Sequence, residues 1–150
     1  MPIVKFYVKK FHEIDTQTLH NIFSLRADVF IVEQKCIYQD IDGKDPNSIH
    51  IIGKKKEEIV AYSRVMYLNK EFCSIGRVLV KKKSRKKGVG VKLMKKSIEE
   101  AIKQYVNKKI KISAQEYLLK FYEKLGFRDT GKRYREDGIP HAEMIFNLSV

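Results

Sequence analysis

Residues 85–90 read RKKGVG, and the segment VKLMKKSIEEAIKQY follows them directly. Six of the seven residues 81–87 are Lys or Arg. Apolar residues recur at helical spacing after the glycines, so the glycine pair stands at the start of an amphipathic helix. A helix N-terminus presents unpaired N–H groups and a partial positive charge, and glycine lets an anion approach the backbone closely. The stretch therefore predicts a phosphate or pyrophosphate seat, although a solvated basic turn explains the glycines alone equally well.

Two familiar phosphate-binding motifs do not match this spacing. A P-loop requires G-x-x-x-x-G-K-[ST], which the sequence lacks. A Rossmann turn requires G-x-G-x-x-G, and Leu93 stands where the third glycine would lie. Both motifs are therefore excluded as explanations of the glycine pair.

Length and composition predict one globular domain, residues 1–150. A chain of 150 residues buries about 70% of its unfolded surface, so it needs no disulfide or metal to hold a core. No apolar run approaches the roughly 18 residues of a membrane span, and the segment MPIVKFYVKK lacks the features of a signal peptide. Cys36 and Cys73 have no metal or redox spacing, so we expect a reduced, cytoplasmic protein.

The net charge of +13 reflects 24 Lys and 7 Arg. A basic chain can bind nucleic acid, an anionic membrane or a polyanionic small molecule. A nucleic-acid module interleaves aromatic residues with cations on an exposed face, whereas Phe and Tyr here fall mostly on inward-facing periodicities. We therefore expect neither a nucleic acid nor a membrane as partner.

Hydrophobic periodicity predicts the element order β-α-β-β-β-α-β-α-β-β. The predicted strands cover 3–9, 48–54, 58–68, 71–80, 109–114, 127–137 and 141–149. The predicted helices run from an N-cap at Asp15 to about Gln34, over 89–105, and over 116–125 with Gly126 as stop. The apolar stripe of the second helix is Val91, Met94, Ile98, Ala101, Ile102 and Tyr105. A helix between the fourth and fifth strands implies a parallel crossover. The fold class is thus α/β (α+β), with a mixed, mostly antiparallel sheet of about seven strands flanked by helices.

The sequence resembles the GNAT superfamily of N-acetyltransferases. That family carries [Gln/Arg]-x-x-Gly-x-[Gly/Ala] between its fourth strand and the next helix, and Arg85-x-x-Gly88-x-Gly90 has this form and place. The stretches 25–45, 75–90, 114–127 and 134–141 are similar to its ElaA-like branch and cover about half of the chain. One departure is Lys86, where many relatives carry glycine, and this reduces the φ freedom of the loop.

The resemblance implies an acetyl-CoA-dependent N-acetyltransferase. A primary amine would attack the acetyl thioester directly, with acetyl-CoA as cosubstrate and no metal. In the family, the fourth strand binds the pantetheine arm through its backbone and the glycine loop binds the pyrophosphate. Carried over to this chain, these roles fall on Val78, Leu79, Val80, Arg85, Lys86, Lys87, Gly88, Val89, Gly90 and Val91.

Catalysis needs a base for the amine, a donor for the oxyanion and a proton for the leaving thiolate. The resemblance implies the amide of Val78 or Leu79 as the oxyanion donor. It also implies Tyr122 as proton donor, whereas helical periodicity alone places this residue in the core. Candidates for the base are Glu33, Asp40, Asp42, Asp45, Glu136, Asp137 and His141, and Glu33 and His141 are preferred.

Arg64 and Arg77 interrupt otherwise apolar strands. A buried guanidinium must be paired, so we expect ion pairs with Glu33 or the aspartates of the loop 36–45. Arg77 is also a candidate for binding a carboxylate of the acceptor. The acidic loop and the Glu-Asp-Gly turn at Asp137 indicate a cationic acceptor instead, so Asp137 is a second candidate for substrate binding.

The sequence leaves several alternatives open. The acceptor amine could belong to a small molecule, a peptide N-terminus or a lysine side chain, and the chain could form a homodimer. A non-catalytic protein that binds acyl-CoA is the main alternative function. A basic nucleic-acid-binding module is a weaker one.

Overall fold

A seven-stranded sheet organises the part of the chain that the computed structural model describes, residues 3–146. Its strands are β1 (Val4–Lys10), β2 (Ile49–Lys55), β3 (Glu58–Tyr67), β4 (Phe72–Val80), β5 (Lys109–Gln115), β6 (Arg128–Glu136) and β7 (Ile139–Phe146). The longer helices between them are α1 (Thr16–Arg26), a π-helix (Ala27–Glu33), α2 (Val89–Gln104) and α3 (Leu119–Lys124). None of the described helices has an apolar stretch long enough to cross a bilayer.

The sheet confirms the predicted mixed fold. The strand order is β1-β2-β3-β4-β5-β7-β6, and only the β4–β5 pairing is parallel. That pairing joins 72–74 to 109–111 and goes no further. Past these residues β4 stays paired with β3 and β5 with β7, so the two central strands separate into a cleft.

Helices cover both faces of the sheet. On one face α2 and α3 pack over a core that includes Ile51, Leu93 and Met144, all fully buried. On the other face α1 and the π-helix pack Ile22 and Phe30 against the sheet. The chain between β4 and β5 must cross over the sheet because parallel strands cannot be joined by a hairpin, and α2 makes that crossing.

The first helix differs from its prediction. Its N-cap is confirmed, since Asp15 Oδ1 accepts a hydrogen bond from the Thr18 amide at 2.7 Å. The α-helix ends at Arg26, however, and the chain continues as a π-helix to Glu33 instead of an α-helix to Gln34. A wider π turn still places apolar residues on the sheet, so hydrophobic periodicity does not reveal the change.

The apolar stripe of α2 also differs from its prediction at one end. Val91 was expected to face the core, but it is 37% exposed and lines the cleft. Leu93, which was not assigned to the stripe, is fully buried. Because Val91 lies in the first turn, where α2 overhangs the opening between β4 and β5, it has no sheet beneath it.

The last two elements need smaller corrections. The helix expected over 116–125 begins as a 3-10 turn, Glu116–Leu118, before α3. Gly126 ends it with a φ of +107°, as expected for a helix stop. The final strand begins at Ile139, two residues earlier than predicted, and the predicted extension over 147–149 lies outside the described residues.

Three arginines and three aspartates form a buried ion-pair network beneath the loop that follows the π-helix. Arg26 is fully buried, and its Nη1 lies 2.7 Å from Asp45 Oδ1. Both strand arginines pair with aspartates of this loop rather than with Glu33. The remaining contacts are Arg26–Asp40 (3.0 Å), Arg64–Asp42 (2.6 Å), Arg64–Asp45 (3.0 Å), Arg77–Asp40 (2.7 Å) and Arg77–Asp42 (3.3 Å).

This network fixes the charge state of its aspartates. Burial alone would raise the pKa of Asp42, but hydrogen bonds from Arg64 and the Lys44 amide, together with the charges of Arg64 and Arg77, outweigh burial and lower it. The pKa of Asp45 is lowered in the same way, with Arg26 as the main opposing partner. Both carboxylates therefore stay ionised in the folded chain, and the loop is held to the sheet by charge-assisted hydrogen bonds.

We expect the Arg26→Ala variant to lose about 3–5 kcal/mol of unfolding free energy, because it removes one of the two arginine partners from each of the buried carboxylates Asp40 and Asp45. Urea denaturation of the variant and the parent measures this loss. The exposed Arg128→Ala is the matched control and should change stability by less than about 0.5 kcal/mol. A loss below 1 kcal/mol in the Arg26 variant would contradict the role given to the network.

Stability should also fall in acid through Asp42 and Asp45. Their folded pKa values lie below the unfolded value of about 3.9, so their contribution is complete above that pH and is lost as pH falls toward the folded values. Urea midpoints measured from neutral pH down to about pH 2.5 should decline less in Asp42→Asn than in the parent. The exposed Asp28→Asn should follow the parent, and parallel declines in all three proteins would refute the prediction.

Candidate active site

A cavity of about 900 Å³ fills the cleft between β4 and β5. Its walls are the separated halves of these strands, the π-helix, the loop 85–88 with the start of α2, and residues 117–122. Most of the lining is apolar side chains, with backbone exposed along the β4 edge. This volume lies at the upper end of the range for small-molecule sites, as a long ligand would require.

One end of the cavity is the N-terminus of α2. No side chain caps this helix, and its first backbone hydrogen bond runs from the Lys92 amide to the Gly88 carbonyl at 3.2 Å. The amides of residues 89–91 therefore have no partner within the helix. Lys86 and Gly88 take positive φ angles of +63° and +79°. Lys86 thus adopts the left-handed conformation that glycine would adopt more readily, and the loop keeps its turn at some strain.

The space around the two glycines tests whether a phosphate group fits here. A methyl group added at Gly88 would meet no atom within 4 Å. At Gly90 it would meet only Phe121 and Val80, at ordinary contact distances of 3.6 and 3.8 Å. Protein packing therefore leaves room beside both backbones, which suits an anion that contacts the amides closely.

Arg85 and Glu33 are paired with each other across the mouth of the cavity. Arg85 donates to both carboxylate oxygens of Glu33, at 2.5 and 2.9 Å, and its Nε donates to the Val80 carbonyl at 2.7 Å. These hydrogen bonds lower the pKa of Glu33 and make it a poorer base. The contact also joins the π-helix to the glycine loop, two segments that are distant in sequence.

A bulge in β4 shapes the middle of the cavity. Two residues, Arg77 and Val78, oppose the single residue Ser63 of β3, and Arg77 has a φ of +50°. A bulge interrupts the ladder and redirects its side chains. Arg77 accordingly turns toward the aspartate loop, whereas Val78 lines the cavity and neither has a register partner on β3.

Tyr122 contributes to both the core and the cavity. It is 6% exposed and packs edge-to-face against Phe121 and Phe127, with ring centroids 5.1 and 5.8 Å away. It also lines the cavity, and no described residue hydrogen-bonds its hydroxyl. Burial raises its pKa to about 12, so the hydroxyl is a donor that stays protonated.

His141 lies where the cleft meets a second, smaller cavity. Its Nδ1 is 2.7 Å from the Ile139 carbonyl, which can only accept, so Nδ1 carries the proton and donates. In the neutral ring Nε2 is then the free lone pair. Glu136 Oε2 lies 3.5 Å from Nε2, and the Tyr134 ring stacks against the imidazole with centroids 6.1 Å apart.

The predicted site residues thus divide among the cleft, its immediate surroundings, the second cavity and the arginine network. Those that line the cleft are Val78, Leu79, Val80, Arg85, Lys86, Gly88, Gly90, Val91, Tyr122 and His141, with Glu33 at its mouth. Lys87 is exposed in the loop beside it, and Val89 is buried under the first turn of α2. Arg77 and Asp137 line the second cavity. The aspartates 40, 42 and 45, also candidates for the base, lie in the arginine network.

Sequence reasoning missed several polar residues at the junction of the two cavities. Gln115 Nε2 donates to Gln34 Oε1 at 3.3 Å, which links β5 to the end of the π-helix. Tyr38 lies under the Arg77 guanidinium, 5.2 Å from ring centroid to carbon. These polar residues carry no formal charge and stand outside the apolar periodicity, so only the packed chain brings them together.

The described part of the chain shows no cluster of side chains suited to metal binding or to thiol catalysis. No group of three or more His, Cys, Asp or Glu side chains converges as a metal site there. His50 is a core residue, since its ring nitrogens contact the Tyr62 hydroxyl at 2.6 Å and the Asp45 carbonyl at 3.0 Å. Cys73 is fully buried, and burial raises its pKa to about 11.

Comparison with known sequences places this geometry in a family. Residues 15–148 match the family model described as an acetyltransferase (GNAT) domain. A UPF0039 protein of Synechocystis is 38% identical over 143 residues, which cover 93% of each chain. The ElaA protein of Escherichia coli is 40% identical over 136 residues, which cover 88% of this chain and 89% of that protein.

Comparison with solved structures supports the same family assignment. The crystal structure of Escherichia coli ElaA superposes with a TM-score of 0.91 at 36% identity, covering 97% of this chain and 100% of that one. An acyl-CoA N-acyltransferase from Pseudomonas aeruginosa gives a TM-score of 0.91 at 30% identity, with the same coverage. The cleft, the glycine loop and the match of the whole fold lead to one conclusion: this chain belongs to the GNAT acetyltransferase family and resembles its ElaA-like members.

Proposed function

We propose that this protein transfers an acetyl group from acetyl-CoA to a primary amine by direct attack on the thioester. The observation that carries the proposal is the continuous cavity between β4 and β5. Its lining includes the uncapped N-terminus of α2 as well as Tyr122 and His141. One cavity thus joins an anion seat to two groups that can handle protons.

The glycine loop and β4 are suited to hold the coenzyme. The amides from Lys86 to Val91 and the dipole of α2 would bind the diphosphate. The free edge of β4 would bind the pantetheine arm as an added strand, at Val78 and Leu79. The Val80 carbonyl already accepts from Arg85, so its contribution would be through its side chain. When bound, acetyl-CoA supplies the thioester that the amine attacks.

The β4 bulge supports an oxyanion site. As the amine attacks, negative charge develops on the acyl oxygen, and a fixed N–H donor stabilises it. The ladder between β3 and β4 is interrupted at Arg77 and Val78, so the Val78 amide is the preferred donor. A donor held by sheet backbone needs little reorganisation during the reaction.

His141 is the preferred general base. An alkylammonium has a pKa near 10.4, so deprotonation near pH 7 costs about 4.6 kcal/mol and needs an acceptor. The Ile139 carbonyl holds His141 in the tautomer that leaves Nε2 free, and Glu136 is placed to stabilise the charged ring. Glu33 is less suited because its carboxylate is bound by Arg85.

The reaction balances when the acceptor enters as an ammonium and its nitrogen loses two protons. His141 takes the first proton and passes it to solvent, and the resulting neutral amine forms a bond to the acetyl carbon. The carbon–sulfur bond then breaks to release the thiolate, and His141 takes the second proton from the nitrogen. Full proton transfer from Tyr122, with its pKa of about 12, to a thiolate of pKa about 8.5 is uphill by roughly 5 kcal/mol. Tyr122 would therefore stabilise the leaving thiolate through a hydrogen bond.

The glycine loop can be tested with Gly88→Glu. A Cβ at Gly88 meets no atom within 4 Å, so the fold should survive, although the positive φ of +79° costs a non-glycine residue about 1–2 kcal/mol. We expect CoA affinity, measured by calorimetry, to fall about tenfold or more because the carboxylate places negative charge beside the amides that would bind the diphosphate. The exposed Gly131→Glu, at a similar φ of +92° with equally open space, is the matched control and should keep the parental affinity. Unchanged affinity in Gly88→Glu would refute the diphosphate assignment.

The base can be tested with His141→Gln. This variant should lower turnover of an amine acceptor about a hundredfold or more while CoA affinity stays within about twofold. The exposed His20→Gln is the matched control and should keep the parental rate. Equal turnover in the parent and His141→Gln would remove His141 from the mechanism.

The function itself is tested by incubating the protein with acetyl-CoA and a panel of amines and peptides. Release of free thiol, corrected for hydrolysis, and the mass of the acetylated product report transfer. Binding of CoA without transfer to any amine would favour the alternative of a non-catalytic acyl-CoA-binding protein.

A further inference from the structure

A second cavity, of about 290 Å³, adjoins the cleft at His141. The two cavities share Phe30, Gln34, Gln115, Ile139 and His141 in their walls. Access from the second cavity to the reacting end of the cleft therefore passes the proposed base. We call this second cavity the acceptor cavity. Its volume is at the lower limit of the usual size of ligand sites, so it suits a compact molecule better than a folded peptide segment.

Arg77 forms part of the wall of the acceptor cavity, and its three guanidinium nitrogens differ in their contacts. Its buried Nε lies 2.7 Å from Asp40 Oδ1, an ion-pair contact without hydrogen-bond geometry. Its Nη2 donates to the Asp40 carbonyl at 2.9 Å and to Asp42 Oδ2 at 3.3 Å. Nη1 has no partner among the described residues. The side chain is 20% exposed and stacks on Tyr38, so the guanidinium is fixed while Nη1 remains accessible.

The opposite wall is acidic. Glu136 and Asp137 come from the turn between β6 and β7, where Asp137 and Gly138 have φ angles of +51° and +80°. The Cys36 thiol donates to the Asp137 carbonyl at 3.3 Å and ties this turn to the loop after the π-helix. The lining of the cavity thus includes two carboxylates, one of them beside His141, and an N–H donor group on Arg77.

The local charge of each part of the lining determines which ligand group it can bind. Arg77 belongs to a network of three arginines and three aspartates, so its positive charge is already balanced. It can still donate hydrogen bonds from Nη1 in the planar geometry that suits a carboxylate. The turn adds carboxylates that no arginine of this network balances, and these attract an ammonium group.

From this arrangement, and resting on the proposed function, we infer that the acceptor is a small amino acid-like molecule, a primary amine that also carries a carboxylate. The amine lies at His141 and Glu136, where it loses its proton and attacks. The carboxylate lies at Arg77 Nη1. A peptide lysine has no carboxylate at this position, and a simple amine leaves the Arg77 donor without a partner, so both should be poorer acceptors.

Calorimetry on the CoA-saturated protein tests this inference without requiring turnover. The ligands are the standard L-amino acids, each compared with the amine that lacks only its α-carboxylate, together with a lysine-containing peptide. We expect at least one amino acid to bind about tenfold or more tightly than its decarboxylated counterpart. Equal or tighter binding of the amines, binding of the peptide alone, or no binding at all would overturn the inference.

Two arginine variants show whether Arg77 causes the preference. Arg77→Lys keeps a cation for Asp40 and Asp42 but loses Nη1, so the preference should shrink to about threefold or less. Arg128→Lys, on the exposed face of β6, should keep the parental preference, and a preference retained in Arg77→Lys would overturn the assignment.

The same ligands in the acetylation assay separate the two proposals. Acetylation of simple amines at rates equal to those of amino acids leaves the proposed function standing and overturns this inference. Tight binding of an amino acid without acetylation supports the acceptor cavity and contradicts the proposed function.

Discussion

The early separation of β4 and β5 is the constraint on which the rest of this site depends. Peptide groups that leave a ladder need other partners, and on β4 the edge facing the cleft has no strand beyond residue 74. The crossover helix must start near the end of β4, so its unpaired amides open onto the same cleft. The separation of β4 and β5 thus supplies two binding elements. One is a free strand edge that can pair with an extended ligand, and the other is a helix N-terminus whose positive dipole end can bind an anion.

A cleft between separated strands keeps its shape only if its walls are held from behind. The arginine–aspartate network does this for β4, because Arg64 and Arg77 tie β3 and the bulge to the loop after the π-helix. Buried ion pairs contribute little net stability after desolvation, since the gain roughly repays the loss of hydration. In this protein the ion pairs serve to position side chains. The network holds the edge of the Arg77 guanidinium that carries Nε and Nη2, and it leaves Nη1 at the acceptor cavity. The Glu33–Arg85 pair holds the π-helix to the glycine loop in a similar way.

Local signals in the sequence predicted the fold and the glycine turn at the start of α2. Asp15, Gly126 and the amphipathic stripe of α2 act through neighbouring residues, so their consequences are visible in a short window. The π-helix was not predicted, because a wider turn preserves the apolar pattern. Arg85 and Glu33 are 52 positions apart, and their pairing depends on the fold. The Gln34–Gln115 contact is of the same long-range kind. Sequence patterns therefore predicted many of the residues that line the cleft between β4 and β5, and they did not predict the long-range contacts around the second cavity.

The ion pairs show which of the positive charges near the glycine loop are already paired. Lys81 and Lys83 share Glu58, and the three network arginines are balanced by aspartates, so these cations are not available to a polyanion. The exposed lysines 82, 86 and 87 remain around the glycine loop. Their attraction is screened beyond about 10 Å at ordinary salt, so it acts on phosphates that already approach the start of α2. A compact polyanion with a diphosphate would place its charges within reach of this local cluster.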